Sequence, residues 1–203
     1  VEDAPEVPQL VNPFIDVNEN AYYYDAVLWA VEKGITGGTT ATTFSPDDAC
    51  TRAQMVTFLW RANGSPVVDY AMNFTDVPAD AYYADAVCWA VSKGITSGTS
   101  ATTFAPDMTV TRSQTVTFLY RAAGTLAVSG GSFADVATDA YYADAVAWAV
   151  KEGITSGTGT NTFSPNASCT SAQMVTFLWR ANGSPKATCI NPFTDVSADA
   201  YYY

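Results

Sequence analysis

Five motifs occur three times in the same order along this chain: Phe-x-Asp-Val, Ala-Tyr-Tyr-x-Asp-Ala-Val-x-Trp-Ala-Val, Gly-Ile-Thr-x-Gly-Thr, Thr-Phe-x-Pro and Thr-x-x-Gln-x-Val-Thr-Phe-Leu. The copies run from Phe14 to Pro66, from Phe74 to Leu126 and from Phe133 to Pro185. A period of about 60 residues makes each copy a unit that cannot bury its apolar face alone, so the copies must cover one another. The expected partition is a linker over 1–11, repeats over 12–66, 67–126 and 127–185, and a partial fourth copy or cap over 186–203.

With 48% apolar and only 14% charged residues, the 203-residue chain buries a sizeable core and does not read as disordered. Its net charge of -11 opposes nonspecific attraction to nucleic acid or to an anionic membrane surface. An anionic ligand must therefore be held by locally placed donors. No apolar run approaches the roughly 18 residues of a membrane span, and the N-terminus lacks a basic region followed by an apolar one, so a signal peptide, if the protein has one, is expected outside this chain. Histidine is absent, which removes the commonest general base and the commonest zinc ligand. Carboxylate pairs suit glycoside chemistry, but Asp16, Asp76 and Asp135 recur at one place in every copy, and a single catalytic site needs no triplication. Neither a cofactor nor a metal is expected.

Within each copy the periodicity predicts two helices. Over Ala21 to Lys33, the positions Tyr22, Ala26, Trp29, Ala30 and Val31 form an apolar face, Asp25 and Glu32 look outward, and Gly34 provides the left-handed stop. Trp29, Trp89 and Trp148 are core positions on that face. A second helix opens at Thr51, Thr111 and Thr170, where Gln54, Gln114 and Gln173 three positions on complete a capping box, and the first copy's runs to Gly64. It is apolar nearly all round, so the three second helices should pack on one another as a central bundle with the first helices outside. Between the helices, Gly37 to Ala49 reads as an ordered loop pinned by Phe44.

The order Phe-x-Asp-Val, helix, Gly-Ile-x-x-Gly, Thr-Phe-x-Pro and then Thr51-Arg52-Ala53-Gln54 opening an apolar helix resembles the S-layer homology domain in its usual set of three. The resemblance covers Phe14 to Pro185. It implies a mainly α fold of tandem helix-loop-helix repeats, arranged as a pseudo-threefold, three-pronged spindle around a central helical bundle. It also implies a noncatalytic anchoring module of the bacterial cell wall or surface. Its partner would be secondary cell-wall polysaccharide, often pyruvylated, held in grooves between prongs, and an effector domain would lie elsewhere in a longer protein.

The family's key Thr-Arg-Ala-Glu motif stands here as Thr51-Arg52-Ala53-Gln54, Thr111-Arg112-Ser113-Gln114 and Thr170-Ser171-Ala172-Gln173. A helix N-terminus with an arginine in its first turn is a ready anion site, and exchanging Glu for Gln keeps the cap while removing a negative charge. Spacing alone also fits Arg52 and Arg112 as surface ion pairs; the resemblance implies that they bind ligand and that the third groove, with Ser171, is weakened. Asp16, Asp76 and Asp135 read equally as sugar contacts or as turn and capping residues. Tyr22, Tyr82 and Tyr141 stand where many members of the family have tryptophan, and their rings either stack on a sugar or close the core. Gly38, Gly98 and Gly157 serve the turn, and their missing side chains also admit a ligand to the backbone. Two other classes remain: a protein-adhesion module and a wall-degrading hydrolase.

Four cysteines in an exported chain suggest two disulfides, Cys50 with Cys88 and Cys169 with Cys189, although Cys50 and Cys169 equally suit small buried positions where repeat two has Val110. The tail, Asn191 to Tyr203, restarts the motifs and stops, as a fragment of a longer repeat array or as a cap on repeat three.

Overall fold

The computed structural model describes residues 11–128 and 133–187. The fourth restart from Asn191 and Cys189 lie outside the described residues. Among the described residues the regular elements are six α-helices, two per repeat: α1 (Tyr24–Glu32), α2 (Arg52–Ala62), α3 (Ala84–Ser92), α4 (Arg112–Ala122), α5 (Ala143–Lys151) and α6 (Ser171–Ala181). The protein is mainly α, as expected.

Each second helix starts where the capping box places it. The hydroxyls of Thr51, Thr111 and Thr170 accept from the backbone N–H of Gln54, Gln114 and Gln173, whose side chains accept in return from the threonine N–H groups. The first helices begin later than their periodicity suggests, at Tyr24 rather than Ala21. No side chain caps the N-terminal Tyr23, and Ala21 to Tyr23 instead form a turn in which Tyr24 N–H donates to Ala21 O. Tyr22 therefore precedes the helix and is exposed rather than part of its apolar face. At the other end Gly34, at φ 66°, closes α1, with Ile35 N–H donating to Ala30 O in the six-to-one bond of a Schellman motif.

Side-chain packing joins neighbours rather than partners within a repeat. The helix α3 lies on α2, α5 on α4, and α1 returns to lie on α6, while α2, α4 and α6 touch one another at the centre. Trp29, Trp89 and Trp148 are each 4% exposed, and with Ile35, Ile95, Ile154 and the loop phenyls Phe44, Phe104 and Phe163 they share one continuous core. Burial of such side chains stabilises by about 1.5–3 kcal/mol each.

A cyclic relay of backbone hydrogen bonds closes the set. Cys50 N–H donates to Cys169 O, Val110 N–H to Cys50 O, and Cys169 N–H to Val110 O, each at 2.9 Å. One layer out, the free N–H groups at the start of every second helix find carbonyls in the loop of the next repeat. Arg52 and Ala53 donate to Met108 and Pro106, Arg112 and Ser113 to Ala167 and Pro165, and Ser171 and Ala172 back to Asp48 and Pro46. Donors orphaned at a helix end are thus satisfied by the neighbouring repeat. The relay fixes the cyclic order of the three repeats around the central helices.

The expected Cys50–Cys88 bridge is not formed in this structure. Cys50 sits at the centre of the relay, whereas Cys88 is on α3, where its Sγ donates to Tyr70 O at 3.3 Å; Cys50, Cys88 and Cys169 are all free thiols. Burial pushes the Cys169 thiol up to about 11.

Candidate functional site

Arg52 opens α2 in repeat one, yet its guanidinium belongs to repeat two. Nε donates to Phe104 O at 2.8 Å and Nη2 to Thr96 Oγ1 at 3.4 Å. The guanidinium carbon lies 4.6 Å from the Phe104 ring centre and 5.7 Å from that of Phe118. Arg112 repeats this in repeat three, with Phe163 O at 2.9 Å, Thr155 Oγ1 at 3.5 Å, and the Phe163 and Phe177 rings at 5.0 and 5.3 Å. Only 4% of Arg52 and 3% of Arg112 is exposed. Burial lowers both pKa values, an effect that Asp76 opposes at Arg52, and an arginine side chain in a protein stays charged. These arginines are buried cations that tie one repeat to the next, rather than surface ion pairs or open donors at a helix start. In the third copy Ser171 takes the arginine's place and its Oγ turns to Asp48 O, 3.2 Å away.

A cleft of about 240 Å³ opens at this third junction. Repeat one contributes Gly38, Thr39 and Gln54 to its wall, and repeat two contributes Tyr82. Gln54, Gly38 and Tyr82 of the predicted residues are thereby brought together, and Gln114, Gly98 and Tyr141, or Gly157 and Tyr22, hold the equivalent positions in the cyclic order. The tyrosines do not close the core: Tyr22, Tyr82 and Tyr141 are 61%, 62% and 66% exposed. Each stands edge-on to the next tyrosine at a centroid distance of 5.0 Å, and the exposed ring of Tyr82 lines the cleft.

Arg61 also lines this cleft. It is half-buried, and Nη1 donates to Ile35 O at 2.9 Å. Arg121 and Arg180 do the same to Ile95 and Ile154 at 3.1 and 3.0 Å. Sequence reasoning passed over this residue in favour of the motif arginine. The available signal was its recurrence near the end of the second helix in all three copies, which the motif arginine does not match.

The three aspartates stand behind the grooves. Asp16 accepts from the backbone N–H groups of Phe44 and Ser45, both at 2.8 Å; Asp76 accepts from Phe104 and Ala105, and Asp135 from Phe163 and Ser164. The second residue of each pair, Ser45, Ala105 or Ser164, has φ between 56° and 58°. The carboxylate therefore clasps a loop residue in the left-handed region, where a side chain is strained. Burial raises the carboxyls of Asp76 and Asp135, but the backbone donors and the charges of Arg52 and Arg112 outweigh it and hold both below the usual range. Gly98, at φ 84°, turns the same loop, and a Cβ there would stand 2.6 Å from the Phe74 ring. Among the described residues no cluster of three or more acidic, cysteine or histidine side chains is arranged to hold a metal, and no helix is long and apolar enough to cross a membrane.

The S-layer homology domain model matches residues 13–56, 73–116 and 132–175. The chain is 36% identical over 100 residues to a surface-layer 125 kDa protein of Lysinibacillus sphaericus, 37% over 116 residues to a cell surface protein of Thermoanaerobacter kivui, and 34% over 110 residues to an endoglucanase of Bacillus sp. strain KSM-635. These matches take in 49%, 54% and 54% of the chain but only 8%, 15% and 12% of those relatives. Three family matches in register, over well more than half of the residues, establish that the chain belongs to the S-layer homology family.

Proposed function

We propose that this is a noncatalytic module that attaches a longer protein to the bacterial cell surface by holding an anionic cell-wall polysaccharide in the grooves between repeats. The groove at Tyr82 carries the reading. An exposed ring faces hydroxyls of the loop, the Gln54 amide and the Arg61 guanidinium. That combination suits a sugar: the ring stacks on its apolar face, the hydroxyls and amide pair with its substituents, and a guanidinium holds a carboxylate such as a pyruvate ketal. Arg61, Arg121 and Arg180 are the donors facing the ligand in this reading. Arg52 and Arg112 are positioning residues that fix the groove walls from behind. Attachment rather than catalysis accords with the variety of relatives, which include surface-layer proteins and an endoglucanase.

Cosedimentation with wall sacculi tests the reading. Binding is expected to fall sharply when the secondary polysaccharide is chemically removed, and also in an Arg61→Gln, Arg121→Gln, Arg180→Gln variant. Binding that survives removal of the polysaccharide would overturn the glycan reading and favour protein adhesion; release of reducing sugar would overturn the noncatalytic one.

A further inference from the structure

The cyclic relation makes the third junction a natural deletion experiment. Where Arg52 and Arg112 each fill a place built of a loop carbonyl, a threonine hydroxyl and two phenyl rings, the chain supplies Ser171. The corresponding walls are all present: Thr36 stands for Thr96 and Thr155, Phe44 for Phe104 and Phe163, and Phe58 for Phe118 and Phe177. All three line the cleft with Ser171. Thr36 is only 7% exposed, and among the described residues no donor reaches the Phe44 carbonyl that the relation pairs with a guanidinium Nε. Phe58 is half-buried, whereas Phe118 and Phe177, covered by arginines, are each 5% exposed.

We propose that this vacated place binds the guanidinium group of a ligand, seated on the Phe44 carbonyl and the Thr36 hydroxyl between the Phe44 and Phe58 rings. A planar guanidinium matches this arrangement because it donates in its plane while its faces lie on rings. The net charge of -11 favours a cation, and Asp47 and Asp48 stand exposed on the adjoining loop. Arg61 in the same cleft is no obstacle. At the first junction Arg52 and Arg121 bond to the adjacent residues Thr96 and Ile95, so two guanidiniums already share one such site. The inference does not rest on the glycan reading, and no glycan enters its test.

The test is an amide NMR titration of the full chain at constant ionic strength, with ethylguanidinium in one arm and N-acetyl-arginine methylamide in the other. Saturable shifts at Thr36, Ser45, Phe58 and Ser171 are expected, with binding about tenfold weaker in Thr36→Val, which removes one acceptor, and absent in Ser171→Arg, whose own side chain occupies the site. Ser171→Arg is also expected to melt higher than the parent. Tighter binding of the arginyl probe assigns the site to a polypeptide arginine, and tighter binding of ethylguanidinium to a small molecule. No saturable shift at these residues, or shifts of equal affinity in the parent and Thr36→Val, overturns the proposal; the valine variant keeps it testable if Ser171→Arg does not fold.

Discussion

Arg112 donates from a place where only 3% of its surface meets solvent, so truncating it strands the Phe163 carbonyl and leaves a void between two phenyl rings. Arg112→Ala is expected to lower stability by about 2–4 kcal/mol, measured by urea denaturation. Arg112→Lys should recover only part of this, because an ammonium is a point charge without the planar fork. The clasping aspartates give a pH signature. Asp76 and Asp135 are held below their ordinary carboxyl value in the folded state, near 3.9 when unfolded. Their contribution is therefore complete above the unfolded value and is lost as pH falls through the lowered folded values. Melting temperature is expected to drop between about pH 5 and pH 2, with a smaller drop in Asp76→Asn than in the parent. Sequence alone left these aspartates between capping and ligand contact, because their hydrogen-bond partners lie 28 and 29 residues away in a loop. The cover over Arg52 and Arg112 was not legible for a related reason: a position in a helix's first turn does not reveal that another repeat packs over it.

The second helices were the most legible elements, since Thr51, Thr111 and Thr170 with their glutamines set the start by local hydrogen bonding alone. The first helices kept their apolar face and C-terminal glycine but lost their first turn, for want of any side chain to cap Tyr23. Between them the loop depends on a position that tolerates no side chain. Gly98→Ala would place a Cβ against the Phe74 ring and the Thr103 carbonyl at a φ of 84°. A loss of about 2 kcal/mol or more is expected, with a lowered midpoint in thermal melting followed by circular dichroism. Gly34→Ala, with open space around its Cβ, should lose only about 1 kcal/mol, which separates strain from collision.

At the scale of the whole molecule, periodicity made a threefold set and a central bundle legible, but not which first helix lies on which second helix. The three copies carry nearly the same apolar pattern, so only the folded chain shows α1 crossing to α6 instead of staying with α2. Stability should accordingly be shared around the ring. Deleting residues 1–66 uncovers both α3 and α6, and the remainder is expected to lose cooperative unfolding and bind a hydrophobic dye such as ANS; a sharp two-state transition in that fragment would count against cyclic closure. The α1–α6 seam also has a consequence in time. About 140 residues separate Glu32 from Ser171, and at a synthesis rate of roughly 5–20 residues per second, α1 waits about 7–28 seconds for the surface that covers Trp29. Until the third copy is made, a nascent chain of two copies can lay α3 on α2 but leaves the apolar face of α1 open.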